Sequence, residues 1–185
     1  MLEELKSFTN PAAKLSRMVK RGECFPIVKG LYETGRSVSA YLLAGSIYGP
    51  SYISFEYALA YYGIIQEAVY VVTCATFEKK KYETTFGTFT YRDIPAEAFP
   101  LGLRLVQEGK YFYRIAEREK ALCDKLYTLP PVKNTRELEL LLQDGLRIET
   151  EELQKMDKEK IWILSGRYHS TNIKKLSILL RRIQK

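Results

Sequence analysis

The chain has 185 residues, 46% hydrophobic and 28% charged, which is enough apolar material for one good core plus a small appendage and too much for a disordered chain. No apolar run approaches the roughly 20 residues that span a bilayer, and the acidic start MLEELKSF lacks the basic and apolar regions of a secretory signal, so a cytoplasmic protein without membrane contact is expected. The net charge of +7 is uneven: residues 158–185 carry eight Lys/Arg against one Glu and residues 1–36 seven against four, leaving a mildly acidic middle between two basic ends.

The first element with a readable mechanism is NPAAKLSRMVKRG. Asn10 can cap free backbone N–H groups, Pro11 occupies a position that needs no donor, and Gly22 stops the helix. Leu15, Met18 and Val19 share one face, while Lys14, Arg17, Lys20 and Arg21 lie largely outside it. Two short strands follow, about Cys24 to Val28 and Leu31 to Glu33, with Lys29 at the turn. A basic helix followed by a hairpin outlines a winged helix, in which the helix enters the major groove and the hairpin reaches phosphate. Only MLEELKSF precedes Thr9, about two turns of helix, so the expected winged helix is truncated or borrows a helix from elsewhere.

Further along, ISFEYALAYYGII reads as a helix capped by Ser54 and ending near Gly63. AVYVVTCAT, KYETTF, TFTYRDI and YFYRIA are strand-like in length and in their Val, Thr, Tyr and Phe content, and predict a small, mainly antiparallel sheet. EREKALCDKLYTL switches to helical spacing before Pro130 and Pro131. TRELELLLQDGL, TEELQKM, KEKIWILSGRY and STNIKKLSILLRRIQK then predict a helical tail. In the last of these, Ile173, Leu176, Leu180 and Ile183 form an apolar stripe. Lys174, Lys175, Arg181 and Arg182 stay outside it, either as a solvated face or as a dock for an acidic partner.

Catalytic motifs are scarce. A single histidine, His169, excludes His-pair metal sites, and LLAGSIYGPS has neither the Walker lysine nor the Rossmann glycine spacing. Cys24, Cys74 and Cys123 are odd in number and widely scattered, which argues for buried free thiols rather than disulfides or a metal site. Glu117, Lys120 and Asp124 recur on one helical side, a spacing that exposed ion pairs on a helix surface produce without any substrate. A substrate-binding role for Lys120 and Asp124 would instead need a pocket joining them to other polar groups. The fourteen tyrosines offer stacking platforms for single strands or, more commonly, half-buried core positions. No catalytic residue, metal or cofactor is expected.

The ordered set KRGECFPIVKGLY, SYISFEYALAYYGII, VYVVTCAT, YETTFGTFTYRDI and YRIAEREKALCDKLY resembles the AbiEi family of antitoxins from type IV toxin–antitoxin systems, over roughly Met18 to Leu129. Its most characteristic parts are the YIS…AL…YG and IA…EKAL.D segments. The resemblance implies an N-terminal winged helix that represses its own operon and a C-terminal region that counters a nucleotidyltransferase toxin. It places Lys14, Ser16, Arg17, Lys20 and Arg21 on the recognition helix and Lys29 and Gly30 in the wing, with operator DNA as partner. It also makes Glu119, Lys120 and Asp124 structural pins of the fold. The expected architecture is therefore α+β: a truncated winged-helix module in residues 1–36, then a mixed α/β domain with a small sheet and helical tail in residues 37–185. A toxin would meet the tail at Lys174, Lys175, Arg181 and Arg182. The rival reading is an antitoxin-like protein-binding module whose winged helix no longer binds DNA.

Overall fold

In the computed structural model, residues 10–35 and 37–184 are described, and the helix expected in residues 1–8 lies outside them. Helix α1 (Pro11–Lys20) begins as its sequence dictates: the Asn10 side chain accepts from the Ala13 N–H at 3.0 Å, and proline takes the first turn. Strands β1 (Phe25–Val28) and β2 (Leu31–Glu33) pair antiparallel around the Lys29-Gly30 turn, with an irregularity between Pro26 and Val28. Gly30 adopts φ +86°, a left-handed conformation open to glycine at little steric cost.

Helix α2 (Ala40–Ile47), capped by the Ser39 hydroxyl, leads to the two-residue strand β3 (Tyr52–Ile53) and helix α3 (Phe55–Tyr61). Five more strands follow: β4 (Val72–Thr76), β5 (Lys80–Thr84), β6 (Gly87–Asp93), β7 (Leu103–Glu108) and β8 (Tyr111–Ala116). With β3 they form one six-stranded sheet in the order β5-β6-β4-β3-β8-β7. The expected small sheet is corrected in size, while antiparallel pairing still holds for three of its five strand pairs. The sheet is larger and mixed, because β4 pairs parallel with β6 and β3 pairs parallel with β8, while antiparallel pairing joins β3 to β4, β5 to β6 and β7 to β8. Each outer hairpin docks on the centre through its second strand, which is what produces the parallel contacts. The helix expected after Ser54 starts there, with Ser54 at its N-cap position, and ends at Tyr61 just before Gly63, while Ile53 ahead of the cap belongs to strand β3.

Strand β4 is buried along its whole length, so both sheet faces are covered. Cys74 stands beside Tyr91, whose hydroxyl donates to the Ala44 carbonyl at 2.7 Å, so α2 covers that face. Ala75 stands beside Tyr52, whose hydroxyl reaches Asp124, so helix α4 (Arg118–Tyr127) covers the other. The tail comprises α5 (Thr135–Leu140), which runs on as a π-helical turn to Gly145, then α6 (Thr150–Gln154), α7 (Lys158–Tyr168) and α8 (Thr171–Ile183). Buried Asn172 ties α8 to the chain leaving α4: its amide donates to Leu126, Leu129 and Pro130 carbonyls at 3.2, 3.3 and 3.0 Å, and its oxygen accepts from the Val132 N–H at 2.9 Å. Among the described residues, no helix is long and apolar enough to cross a membrane.

Candidate nucleic-acid and partner surfaces

The α1–hairpin unit has its own small apolar cluster, in which Leu15 and Cys24 are buried with Met18, Val19 and Tyr32 around them. That packing fixes the rotation of α1. Ser16, Arg17, Lys20 and Arg21 are then exposed, Lys14 is half-buried, and Lys29 and Gly30 are exposed at the hairpin tip. Among the described residues, two of the cations make local contacts: the Arg17 Nε donates to the Ala13 carbonyl at 3.3 Å, and Arg21 lies 3.8 Å from Glu23. Such exposed contacts are worth at most about 1 kcal/mol and are readily exchanged for a phosphate. The hairpin itself is anchored below, because Ile27 joins the main core and the Thr85 hydroxyl donates to the Pro26 carbonyl at 3.4 Å.

The acidic and basic residues of α4 overturn one expectation. Lys120 and Asp124 are not helix-surface ion pairs, since both side chains have 0% exposure with Nζ and Oδ1 3.3 Å apart. Lys120 donates to the Ala98 carbonyl at 2.7 Å and to the Tyr168 hydroxyl. Asp124 accepts from Ser54 at 2.6 Å, from Tyr52 at 3.1 Å and from Tyr168. Three hydroxyl protons are thus matched to one carboxylate by direct hydrogen bonds. Burial lowers the Lys120 ammonium pKa, an effect the Asp124 charge opposes. Burial, then the same carboxylate, pushes the Tyr52 and Tyr168 phenols well above their ordinary value, which keeps both as donors. Beside them, burial also raises the Cys123 thiol, and all three cysteines are buried thiols outside any disulfide, so none is an activated nucleophile. A cleft of about 330 Å³ is lined by Gly102, Glu117, Glu119, Lys120 and Lys160, although the Lys120 side chain itself has no solvent exposure. Glu119 is buried and accepts from the Asp157 N–H at 2.9 Å, holding the start of α7.

The basic residues of α8 divide into two pairs. Burial of Ile173, Leu176, Leu179 and Leu180, each worth about 1.5–3 kcal/mol, sets the rotation of the helix. Lys175 then donates to the Val132 carbonyl at 2.7 Å and Arg182 to Glu139 at 2.6 Å, so these two hold the tail together. Lys174 is exposed, and the Arg181 guanidinium lies 4.7 Å from the Trp162 ring centroid. Trp162, Ile163 and Ile178, none of them singled out from the sequence, are the exposed apolar residues beside that pair. The tyrosines mostly serve packing: Tyr41 contacts Tyr57, Tyr61 and Tyr113 with ring centroids 5.2, 5.8 and 5.1 Å away.

Among the described residues, no group of three or more His, Cys, Asp or Glu side chains is arranged to hold a metal ion. No protein-family model matches the chain, and no curated protein matches it.

Proposed function

We propose that this chain is an antitoxin of the AbiEi kind, with α1 and the β1–β2 hairpin as a winged-helix reader of operator DNA and the rest of the chain countering a nucleotidyltransferase toxin. The observation that carries the DNA half is the exposed row Ser16, Arg17, Lys20 and Arg21 on a helix whose apolar side is closed against a hairpin tipped by Lys29. A helix so fixed presents its cations without the entropy cost of ordering a loose segment. The toxin half rests on the sequence resemblance and on the basic surface that α8 leaves free at Lys174 and Arg181.

Fluorescence titration of the intact protein against its own upstream DNA tests the reading. Arg17→Ala and Lys20→Ala are expected to weaken binding, and the log–log salt slope should fall by about one for each phosphate that is no longer neutralised. Wild-type affinity and slope in both variants would remove α1 from the interface. Growth rescue on co-expression with a nucleotidyltransferase toxin of this kind of system tests the toxin half separately.

A further inference from the structure

Helices α7 and α8 leave a groove of about 650 Å³ between them, floored and flanked by Trp162, Ile163 and Ile178. These three are 54%, 57% and 60% exposed although each lies next in sequence to a residue in the core, so their exposure is set by the helix rotation that buries Ile161, Leu164, Leu179 and Leu180. Apolar side chains gathered in one concavity, with cations on its rim, are the marks of an interaction site rather than of a scattered surface. The rim cations are Lys174, Arg181 and Arg167. Arg167 has a long 3.8 Å contact to Glu97, and Arg181 is held over the Trp162 ring.

We infer that this α7–α8 groove docks an acidic amphipathic segment of a partner protein, its apolar side on Trp162, Ile163 and Ile178 and its carboxylates on Lys174 and Arg181. The choice of occupant follows from the chemistry of the patch. Phosphates would satisfy the cations but leave two isoleucines uncovered, whereas a helix with leucines on one face and glutamates on its flanks satisfies both. A second copy meeting the same patch about a two-fold axis would set one basic rim against an identical one, which repels. A bilayer needs a convex apolar face, and this one is recessed between two helices. The proposal goes beyond the function above and takes the occupant to be a protein segment from the chemistry of the patch alone.

Trp162 is the chain's single tryptophan, so its emission reports occupancy of the groove directly. The test titrates the full chain with a synthetic helical peptide bearing leucines on one face and glutamates on its flanks. Saturable change in emission is expected, with binding about tenfold weaker after Ile178→Ser and in the Lys174→Glu/Arg181→Glu variant, the size of losing one anchor. Lys110→Glu, an exposed cation in the turn between β7 and β8 and outside the groove, is the control expected to bind as the parent does. Circular dichroism melts verify that every variant is folded.

No saturable change, equal binding of a peptide with lysines in place of the glutamates, or unaltered binding by the groove variants overturns the proposal. So does a stronger emission response to duplex DNA or to anionic vesicles, or an emission change that tracks self-association in sedimentation without peptide. A failed titration beside intact growth rescue overturns the groove alone. Failed rescue beside a successful titration overturns the toxin reading and leaves the groove standing.

Discussion

Replacing Lys120 by Met asks whether the closed polar knot holds the fold. Lys120 and Asp124 both have 0% side-chain exposure, so the substitution leaves a carboxylate enclosed without its counter-charge. Methionine nearly keeps the aliphatic stem, which limits the cavity contribution, and the Ser54, Tyr52 and Tyr168 hydroxyls remain as donors to Asp124. The ion pair itself disappears, and breaking a buried pair from one side costs about 3–5 kcal/mol. With a urea m-value of about 2 kcal/mol/M, the midpoint should fall by roughly 1.5–2.5 M, as large a loss as about 2–5 kcal/mol for Leu122→Ala in the same helix. A surface pair would lose no more than about 1 kcal/mol. Urea titrations followed by circular dichroism measure the change, and Asp124→Asn alone and with Lys120→Met completes a double-mutant cycle. The double variant should lose less than the sum of the singles, because neither leaves a charge unmatched once both are gone. A Lys120→Met loss below about 1 kcal/mol, or strict additivity, would refute the reasoning.

Gly102→Ala should destabilise by about 1–3 kcal/mol in the same titration, since the new Cβ would sit 2.9 Å from Lys120 Cβ at a position with φ +63°. Stability should also fall on the alkaline side: Tyr52 and Tyr168 are raised by burial, so their contribution is complete below the unfolded phenol value of about 10 and is lost as pH climbs toward their folded values. Lys120, lowered by burial, acts in the opposite sense just below its ordinary 10.5, and Tyr52→Phe should make the net decline shallower; a urea midpoint that stays level beyond pH 10 would contradict this. Glu56, raised by burial but lowered further by the Lys125 and Arg92 partners, ends below its ordinary value, so it stabilises above that value and its share drains as pH falls through the folded one. Glu56→Gln should therefore flatten the acid limb of the stability profile.

Local signals carried much of this fold. Asn10-Pro11, the Gly22 stop, the Lys29-Gly30 turn and the stripe of α8 are each decided by a few neighbouring residues, and each stands where the sequence places it. The sheet was less legible because its order depends on partners far apart, Ile53 with Ile115 and Val72 with Phe89. Strand β3 is two residues long and disappears into the apparent helix that follows it, while β7 is an edge strand whose exposed Arg104 and Gln107 look like loop. The knot was half legible. An i,i+4 Lys–Asp pair has the same spacing on a surface and in a core, and what decides between them is Tyr52, Ser54 and Tyr168, brought from 44 to 72 residues away.

Those long-range hydrogen bonds also explain how the two ends of the chain can work as one molecule. Tyr168 is the last residue of α7, Asp124 lies in α4, and Tyr52 opens β3, so the knot joins the tail to the centre of the sheet. At the other end, Ile27 of the hairpin enters the same core, so the proposed DNA reader is seated on that sheet rather than tethered to it. Loosening the knot should therefore affect the α7–α8 groove before the α1 surface. The Lys120→Met protein, held below its melting point, is expected to weaken peptide capture at Trp162 while leaving α1 packed by Leu15 and Cys24. Equal losses at both surfaces would mean that the core transmits the defect across the sheet, and no loss at the groove would mean that α7 is held by its apolar contacts and by Glu117 and Glu119 at its start, without the knot.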